Sequence, residues 1–392
     1  MNYNNPIPNH IMRSIRIACA VLFVVFSFSY LYFLEGDLLA QAQYVYSGGV
    51  TTYSRLLGAI LITFCLLCVQ LGVEKVTKLT GRAYALSYFP SLLLLAVITS
   101  INKSTIEHFS IDAWAWALPL ALIAYAAIIW VMRHFPDGSV EAGDYSIARY
   151  MWPNMLIMFL MMVLCGARGT ADDVYMYELK AERLVMNEDY EAAGKVGRKS
   201  LNTSRRLNEL RLFALANEGT IGEYLFSFPQ PYGSEGLIDL ADTSYAFCRF
   251  NAKDIQRHLD GMASPSINTA AKYIELMAQH DTSTDNKLLG DYYLCSLLLD
   301  KNLRTFTRKL RVYYSVEGVE NVMALPKAYR EALLLQAKNI SNDSLMAFAD
   351  TLMLNDYIEY RTIMEEETDS LQRANLSRKK FGNTLWWYFD YH

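Results

Sequence analysis

Five stretches of the chain contain no charged residue, and each is at least 18 residues long. They cover residues 17–34, 56–73, 83–102, 113–132 and 150–167. Uncharged runs of this length are typical of helices that cross a membrane, whereas a core helix of a soluble protein carries a polar stripe on one side. Pro90, Pro119 and Pro153 are compatible with this, because membrane helices tolerate proline where neighbours satisfy the freed carbonyls. The pattern predicts a membrane domain of five transmembrane helices within residues 1–167.

The first run has two alternative interpretations. Arg13 and Arg16 precede it, as basic residues precede a cleavable signal peptide. The run is longer than a typical signal-peptide core, and no cleavage site with small residues follows Leu34. We therefore expect an uncleaved first helix.

From Ala171 onward the pattern changes to amphipathic helices with short turns, which predicts a second helical domain over residues 168–392. Residues 174–186 and 190–201 form the first predicted helix pair, with a turn at 187–189. Large residues alternate there with small ones such as Ala181 and Ala193, at offsets that resemble a tetratricopeptide repeat. Gly197 departs from that repeat, which has an aromatic residue at this position.

Two further helix pairs follow the first one. One comprises residues 288–299 and 303–314 around a turn at 300–302, and the other comprises 327–338 and 344–357. The periods are irregular, so the predicted fold is all-α, with five transmembrane helices followed by an irregular helical-repeat (tetratricopeptide-like) domain; an irregular helical bundle is the alternative. The Pro- and Gly-containing loop at 228–236 is expected to separate the first repeat-like unit from the rest.

Charge in the short loops predicts the orientation. Seven basic residues lie before the first run, between the second and third, or between the fourth and fifth; the alternate loops carry two. These two sets are Arg13, Arg16, Lys75, Lys78, Arg82, Arg133 and Arg149, against Arg55 and Lys103. The bias predicts a cytoplasmic N-terminus in a bacterial inner membrane, and five spans then place the C-terminal domain in the periplasm.

Composition excludes some classes of function. The part after Gly166 has 32 acidic and 27 basic residues, so nucleic acid is not an expected partner. No charged residue lies inside an uncharged run, which disfavours an ion-coupled transporter. Gln70 and Asn154 lie well inside their runs and are expected to form hydrogen bonds between helices. Cys248 and Cys295 are the only cysteines in the second part, and a disulfide between them is left open.

Dense aromatic residues follow a basic cluster at the C-terminal end of the chain. Because disordered segments lack aromatic residues, we favour a tail docked on the preceding helices. Contact with the membrane surface or with a partner is the alternative. The residues of this tail that could dock or interact are Arg378, Lys379, Lys380, Trp386, Trp387 and Tyr388.

The sequence LPKAYREALLL at 325–335, LLLDKN at 297–302 and GNTLWWY at 382–388 resemble an uncharacterised family of multi-pass inner-membrane proteins from Bacteroidota. The likeness covers the second half of the chain best. The family has no established activity, so the resemblance implies a membrane topology and no particular reaction.

Catalytic signatures are scarce in this sequence. The six histidines are scattered without metal-ligand spacing, and no nucleophile elbow, P-loop or dinucleotide-binding motif occurs. The weak catalytic candidates are Glu35 and Asp37 in the first outer loop, with Glu107, His108 and Asp112 in the second. Some membrane glycosyltransferases place an acidic pair in such a loop to bind a metal and deprotonate an acceptor. Because acidic residues are expected in an outer loop from charge asymmetry alone, we favour ordinary loop acids as the interpretation of this pair, and no cofactor or metal is expected.

The hypothesis we favour from sequence is a non-enzymatic one. A helical-repeat domain tethered to the lipid bilayer would act as an interaction or assembly scaffold for protein partners of the cell envelope. The alternative is a component of a membrane glycan or lipid-linked sugar transferase that uses the acidic residues of the first outer loop.

Overall fold

The computed structural model of the chain describes residues 8–101, 114–134, 146–167, 172–240, 248–259, 267, 269–280, 286–316, 319–336 and 351–392. Within these ranges the chain forms helices and connecting turns, with no β-strand. It divides into two compact units, Met1–Met176 and Tyr177–His392, referred to below as unit 1 and unit 2. The predicted all-α class is confirmed.

Unit 1 contains five helical segments that are long and apolar enough to cross a membrane, as predicted. The third of them is composite, because a 3-10 helix precedes its α-helix. In chain order the helices are α1 (Asn9–Ser29), a π-helix (Tyr30–Leu34), α2 (Gly36–Tyr46), α3 (Arg55–Thr77), a 3-10 helix (Gly81–Tyr88), α4 (Phe89–Thr99), α5 (Trp114–His134) and α6 (Ile147–Ala167).

The core of unit 1 lies between α1, α3, α4 and α6. Phe23, Tyr88, Leu95 and Met158 are among its buried side chains. The opposite faces of α1, α3 and α6 expose large apolar side chains, and α5 exposes most of its own, with Trp116 84% exposed. Exposed apolar faces on long helices are what a protein solvated by lipid requires.

Two buried amides link the helices of unit 1, as predicted. Asn154 of α6 donates to the backbone oxygen of Gly81 at 2.8 Å and accepts from the backbone nitrogen of Ala85 at 2.7 Å. It thereby holds the 3-10 helix by both its donor and its acceptor. Gln70 of α3 donates to the hydroxyl groups of Tyr84 and Ser87, at 3.4 and 3.3 Å.

Unit 2 is built from short helices, most of them between 4 and 16 residues long. In chain order they are α7 (Asp173–Met186), α8 (Tyr190–Lys195), α9 (Arg205–Asn217), α10 (Ile221–Tyr224), a 3-10 helix (Gly233–Gly236), α11 (Ala252–His258), α12 (Ala270–His280), α13 (Lys287–Leu299), α14 (Leu303–Tyr313), α15 (Val319–Met323), α16 (Lys327–Gln336), α17 (Thr351–Glu366), α18 (Ser370–Phe381) and α19 (Leu385–Tyr391).

The predicted turns at 187–189 and 300–302 are confirmed. Glu188 and Lys301 adopt left-handed conformations, with φ of 59° and 58°, which reverse the chain after α7 and α13. Asp189 and Asn302 then cap the next helices, because their side chains accept hydrogen bonds from the backbone of Ala192 and Thr305. The pair α13–α14 has the predicted limits within one residue.

The limits of one predicted helix in unit 2 need correction. The partner helix predicted to reach residue 201 ends at Lys195, because Gly197 turns the chain with φ +60°. A Cβ atom there would lie 2.5 Å from Nη2 of Arg211, so the position excludes the aromatic residue of a tetratricopeptide repeat. The loop at 228–236, expected to separate the first repeat-like unit from the rest, is packed into unit 2 with Phe228 and Gln230 buried.

The third predicted pair falls partly outside the described residues, which omit 337–350. Its described part differs from the prediction, because α17 runs on to Glu366 and pairs with α18. Leu334 of α16 and Tyr357 of α17 lie in one apolar cluster, to which Phe381 and Trp386 also belong. The C-terminal helices α18 and α19 therefore pack in the same apolar cluster as α16 and α17.

Candidate functional site

The first outer loop proposed from sequence contains a helix, α2, in its first half. The π-helix Tyr30–Leu34 ends at Glu35, and α2 begins at the next residue. The backbone nitrogen of Glu35 donates to the oxygen of Tyr30 at 3.0 Å, which closes the wide π-type turn. This turn brings both sequence-predicted acids inward: Glu35 is 5% exposed and Asp37 is 7% exposed.

Asp37 is neutralised within the protein. Its carboxylate forms an ion pair with the guanidinium of Arg55 at the start of α3. Gly36 permits this approach, because a Cβ atom there would lie 3.0 Å from Nε of Arg55. A metal ion would have to displace that guanidinium, so Asp37 does not fit the role of a metal ligand that the transferase hypothesis gives it.

Glu35 lies in a different environment. Its carboxyl hydrogen-bonds with the hydroxyl of Tyr30, and Cys165 of α6 lies close to both groups. Its atom Oε2 is buried and has no hydrogen-bond partner among the described residues. Two carboxylates two residues apart thus have opposite surroundings, one paired with a cation and the other facing neutral groups.

The second half of the sequence-predicted constellation, Glu107, His108 and Asp112, lies outside the described residues. Where the chain is described, no group of three or more His, Cys, Asp or Glu side chains is arranged to hold a metal ion. Glu35 and Asp37 therefore lie together at the junction between the π-helix and α2. No third acidic, histidine or cysteine ligand joins them among the described residues.

The other end of α3 carries a charged cluster that the sequence interpretation missed. Glu74 forms an ion pair with Arg16 of α1 at 3.0 Å and accepts a hydrogen bond from the hydroxyl of Tyr84 at 2.9 Å. Gln70 donates to the same carboxylate at 3.3 Å. The signal was present in the sequence, because Glu74 follows the second uncharged run directly and the run of basic residues begins after it.

The aromatic tail is an integral part of unit 2. Trp386 is 1% exposed, its indole N–H donates to the backbone oxygen of Glu331 at 3.3 Å, and its ring centroid lies 4.9 Å from that of Tyr357. The hydroxyl of Tyr388 donates to the backbone oxygen of Leu299 at 2.8 Å. These contacts attach α19 to α16, α17 and the end of α13.

The remaining tail residues lie nearer the surface. Trp387 is half-buried and stacks on Tyr391, with the guanidinium of Arg378 5.7 Å from its ring. Lys380 forms an exposed ion pair with Glu359 of α17, and Lys379 is exposed. The basic and aromatic residues of the tail thus differ in location, because Trp386 and Tyr388 are buried whereas the basic side chains remain in solvent.

Glu331 is the buried acid that holds the tail in place. Its Oε2 accepts a hydrogen bond of 2.7 Å from the backbone nitrogen of Leu385, the first residue of α19. Nζ of Lys327 lies 3.7 Å from Oε1. Burial raises the pKa of Glu331 to about 7, against the opposing effects of Lys327 and of the Leu385 hydrogen bond.

A second buried acid in unit 2 is held by hydroxyl groups. Asp291 of α13 accepts hydrogen bonds from Tyr314 at 2.6 Å and from Tyr329 at 2.9 Å. Burial raises the pKa of Asp291, and the two tyrosine hydrogen bonds oppose that rise. Cys295 lies 3.6 Å from the Tyr329 hydroxyl, and no disulfide joins it to Cys248 in this structure.

These observations define a class of protein: a helical chain with five helices that are long and apolar enough to cross a membrane, followed by a compact helical unit. Residues 251–392 match the model of a family described as a family of unknown function (DUF6057). The match covers α11 to α19, including Glu331 and the docked tail. Comparisons with curated proteins and with solved structures gave no match.

Proposed function

We propose that the protein is a membrane-anchored interaction or assembly scaffold, whose unit 2 binds a protein partner of the cell envelope. The observation that carries the proposal is the exposure of apolar side chains on the helix pair α17–α18. Four large apolar side chains there are between 44% and 76% exposed: Leu352, Ile358, Leu371 and Leu376. Contiguous exposed apolar patches are typical of surfaces that bind another protein, and we propose that side chains of this helix pair contribute to one.

Charged residues on the same helices suit a reversible contact. Exposed ion pairs join Arg361 to Glu365 and Lys380 to Glu359. Interfaces between separate proteins commonly combine apolar side chains with a polar, solvated rim. The proposed binding surface therefore has the mixed character of an interface that forms after each partner has folded.

The proposal includes a location and a fold interpretation. The basic loops favour a bacterial inner membrane with the N-terminus in the cytoplasm, which places unit 2 in the periplasm. The helix pairs α7–α8 and α13–α14 support a tetratricopeptide-like origin of unit 2, with α8 shortened at Gly197. In this arrangement the lipid bilayer is the permanent partner and the envelope protein is the exchangeable one.

Site-specific photo-cross-linking in cells tests the partner surface. A photoreactive residue placed at Leu371 should give one discrete protein adduct, and the same residue at lipid-facing Trp116 should not give that adduct. The change Leu376→Glu, at a half-exposed position, should weaken the Leu371 adduct without lowering the amount of protein. A Leu371 adduct that is absent, or that Leu376→Glu leaves unchanged, would remove the support for this surface.

Reporter fusions test the orientation separately. A reporter active only in the periplasm should be active after His392 and silent when inserted after Lys78, in the turn that follows α3. The opposite pattern would reverse the proposed topology.

The alternative function is a component of a glycan or lipid-linked sugar transferase. The observation in its favour is the buried Glu35 at the end of the first membrane-length helix, with one oxygen unpaired. The isosteric changes Glu35→Gln and Asp37→Asn, made together, should leave the cellular phenotype unchanged on the scaffold proposal. Loss of the phenotype at normal protein abundance would favour the transferase.

A further inference from the structure

Glu35 is a buried acid in a place where a negative charge is difficult to accommodate. It directly follows the first membrane-length helix and is 95% removed from solvent, since its exposed fraction is 5%. Oε2 has no hydrogen-bond partner among the described residues. An isolated buried carboxylate costs so much free energy that such a group normally gains a proton or binds a cation. Ionisable residues at membrane boundaries are functional candidates for this reason.

The groups around Glu35 supply no cation. Tyr30 faces it from the π-helix, Thr99 faces Tyr30 from α4, and Cys165 of α6 lies close to Glu35 and Tyr30. Arg55, the basic side chain of this junction, pairs with Asp37 on α2. The groups shown next to Glu35 in the described residues are therefore a phenol and a thiol.

The hydroxyl groups near Glu35 do not neutralise it. The hydroxyl of Thr99 donates to the backbone oxygen of Leu95 at 2.9 Å. The oxygens of Tyr30 and Thr99 lie 3.4 Å apart, and either of them could donate. Tyr30 hydrogen-bonds with the carboxyl group of Glu35, but Oε2 stays buried without a partner among the described residues. A carboxyl group in such a place is most stable as the neutral acid.

We propose that Glu35 is a proton-binding site, in which the buried carboxyl is held as the neutral acid beside the hydroxyl of Tyr30. The adjoining π-helix supports this, because single π-turns within α-helices occur frequently at functional sites and this one turns Glu35 inward. The site goes beyond partner binding by unit 2. It also differs from the transferase alternative, since a protonated acid is not a general base.

Infrared spectroscopy of the full chain in lipid nanodiscs tests the proposal, since the carbonyl stretch of a protonated carboxyl group is separate from that of a carboxylate. At neutral pH the protein should show an acid band, sensitive to deuterium exchange, that Glu35→Gln lacks. The matched control Glu365→Gln, which changes an exposed acid of α17, should keep the band. If the original protein has no band that Glu35→Gln removes, Glu35 is ionised and the proposal is wrong.

Two further measurements cover the remaining outcomes. The change Tyr30→Phe removes the neighbouring hydroxyl and should shift the acid band without abolishing it. An unshifted band would overturn the placement of the proton beside Tyr30, and this variant also serves if Glu35→Gln fails to fold. Exchange of potassium for sodium at constant ionic strength should leave the band unchanged. Loss of the band in sodium would mean that a metal cation, and not a proton, occupies the site.

Discussion

The buried carboxyl of Glu331 predicts how the stability of the docked tail depends on pH. In the folded chain the pKa of Glu331 is raised from its ordinary value of 4.5 to about 7, chiefly by burial. The folded state therefore binds this proton more tightly than the unfolded state does. The stabilising contribution is fully present below about pH 4.5 and is lost as the pH rises through about 7.

The size of the effect follows from the pKa difference. One pKa unit corresponds to about 1.4 kcal/mol, so the shift of Glu331 amounts to roughly 3 kcal/mol of stability lost between acidic and alkaline pH. The change Glu331→Gln keeps the shape and the acceptor for Leu385 and removes the titration. The attraction of Lys327 to the ionised carboxyl is already contained in the pKa of about 7. We expect Glu331→Gln to be roughly 3 kcal/mol more stable than the original protein at pH 8, and close to it at pH 5.

Hydrogen exchange of the full chain in nanodiscs measures this locally. Peptides that contain residues 327–336 and 385–391 report the opening of α16 and α19, after correction for the intrinsic pH dependence of exchange. The control Glu365→Gln alters an exposed acid of α17 and should follow the original protein at every pH. Equal pH dependence in the original protein and Glu331→Gln, or a Glu331→Gln variant that is less stable at pH 8, would refute the assignment.

Five other changes test the packing. Trp386→Ala should destabilise α19 by about 3–5 kcal/mol in the same hydrogen-exchange assay, whereas Trp387→Ala, at a half-buried position, should have a smaller effect. Removal of Gly382–His392 should lower the melting temperature of unit 2. Asn154→Leu removes the hydrogen bonds that hold the 3-10 helix and should lower the detergent melting temperature of unit 1, while an unchanged melting temperature would contradict the role of this amide. Gly197→Ala should cost about 1–3 kcal/mol, because alanine is strained at positive φ and would contact Arg211; a neutral effect on thermal unfolding would show that the turn adapts.

The sequence by itself determined the membrane-length helices, because an uncharged run of this length has few other folded solutions. The buried amides Gln70 and Asn154 were also predictable, since a polar group deep in such a run needs a partner on another helix. The turns at Glu188 and Lys301 follow local rules of capping and polar spacing. Each of these features depends on a few neighbouring residues and on the solvent.

Tertiary structure alone decided the features that depend on distant residues. Nothing in the sequence near Gly197 indicates that Arg211, on the next helix, packs against this turn and donates to the backbone oxygen of Val196. The opposite surroundings of Glu35 and Asp37 depend on Arg55, which reaches Asp37 from α3, and on the burial of Glu35. Burial and charge pairing are properties of a folded environment, and spacing along the chain does not specify which of two neighbouring acids receives the cation and which keeps a proton.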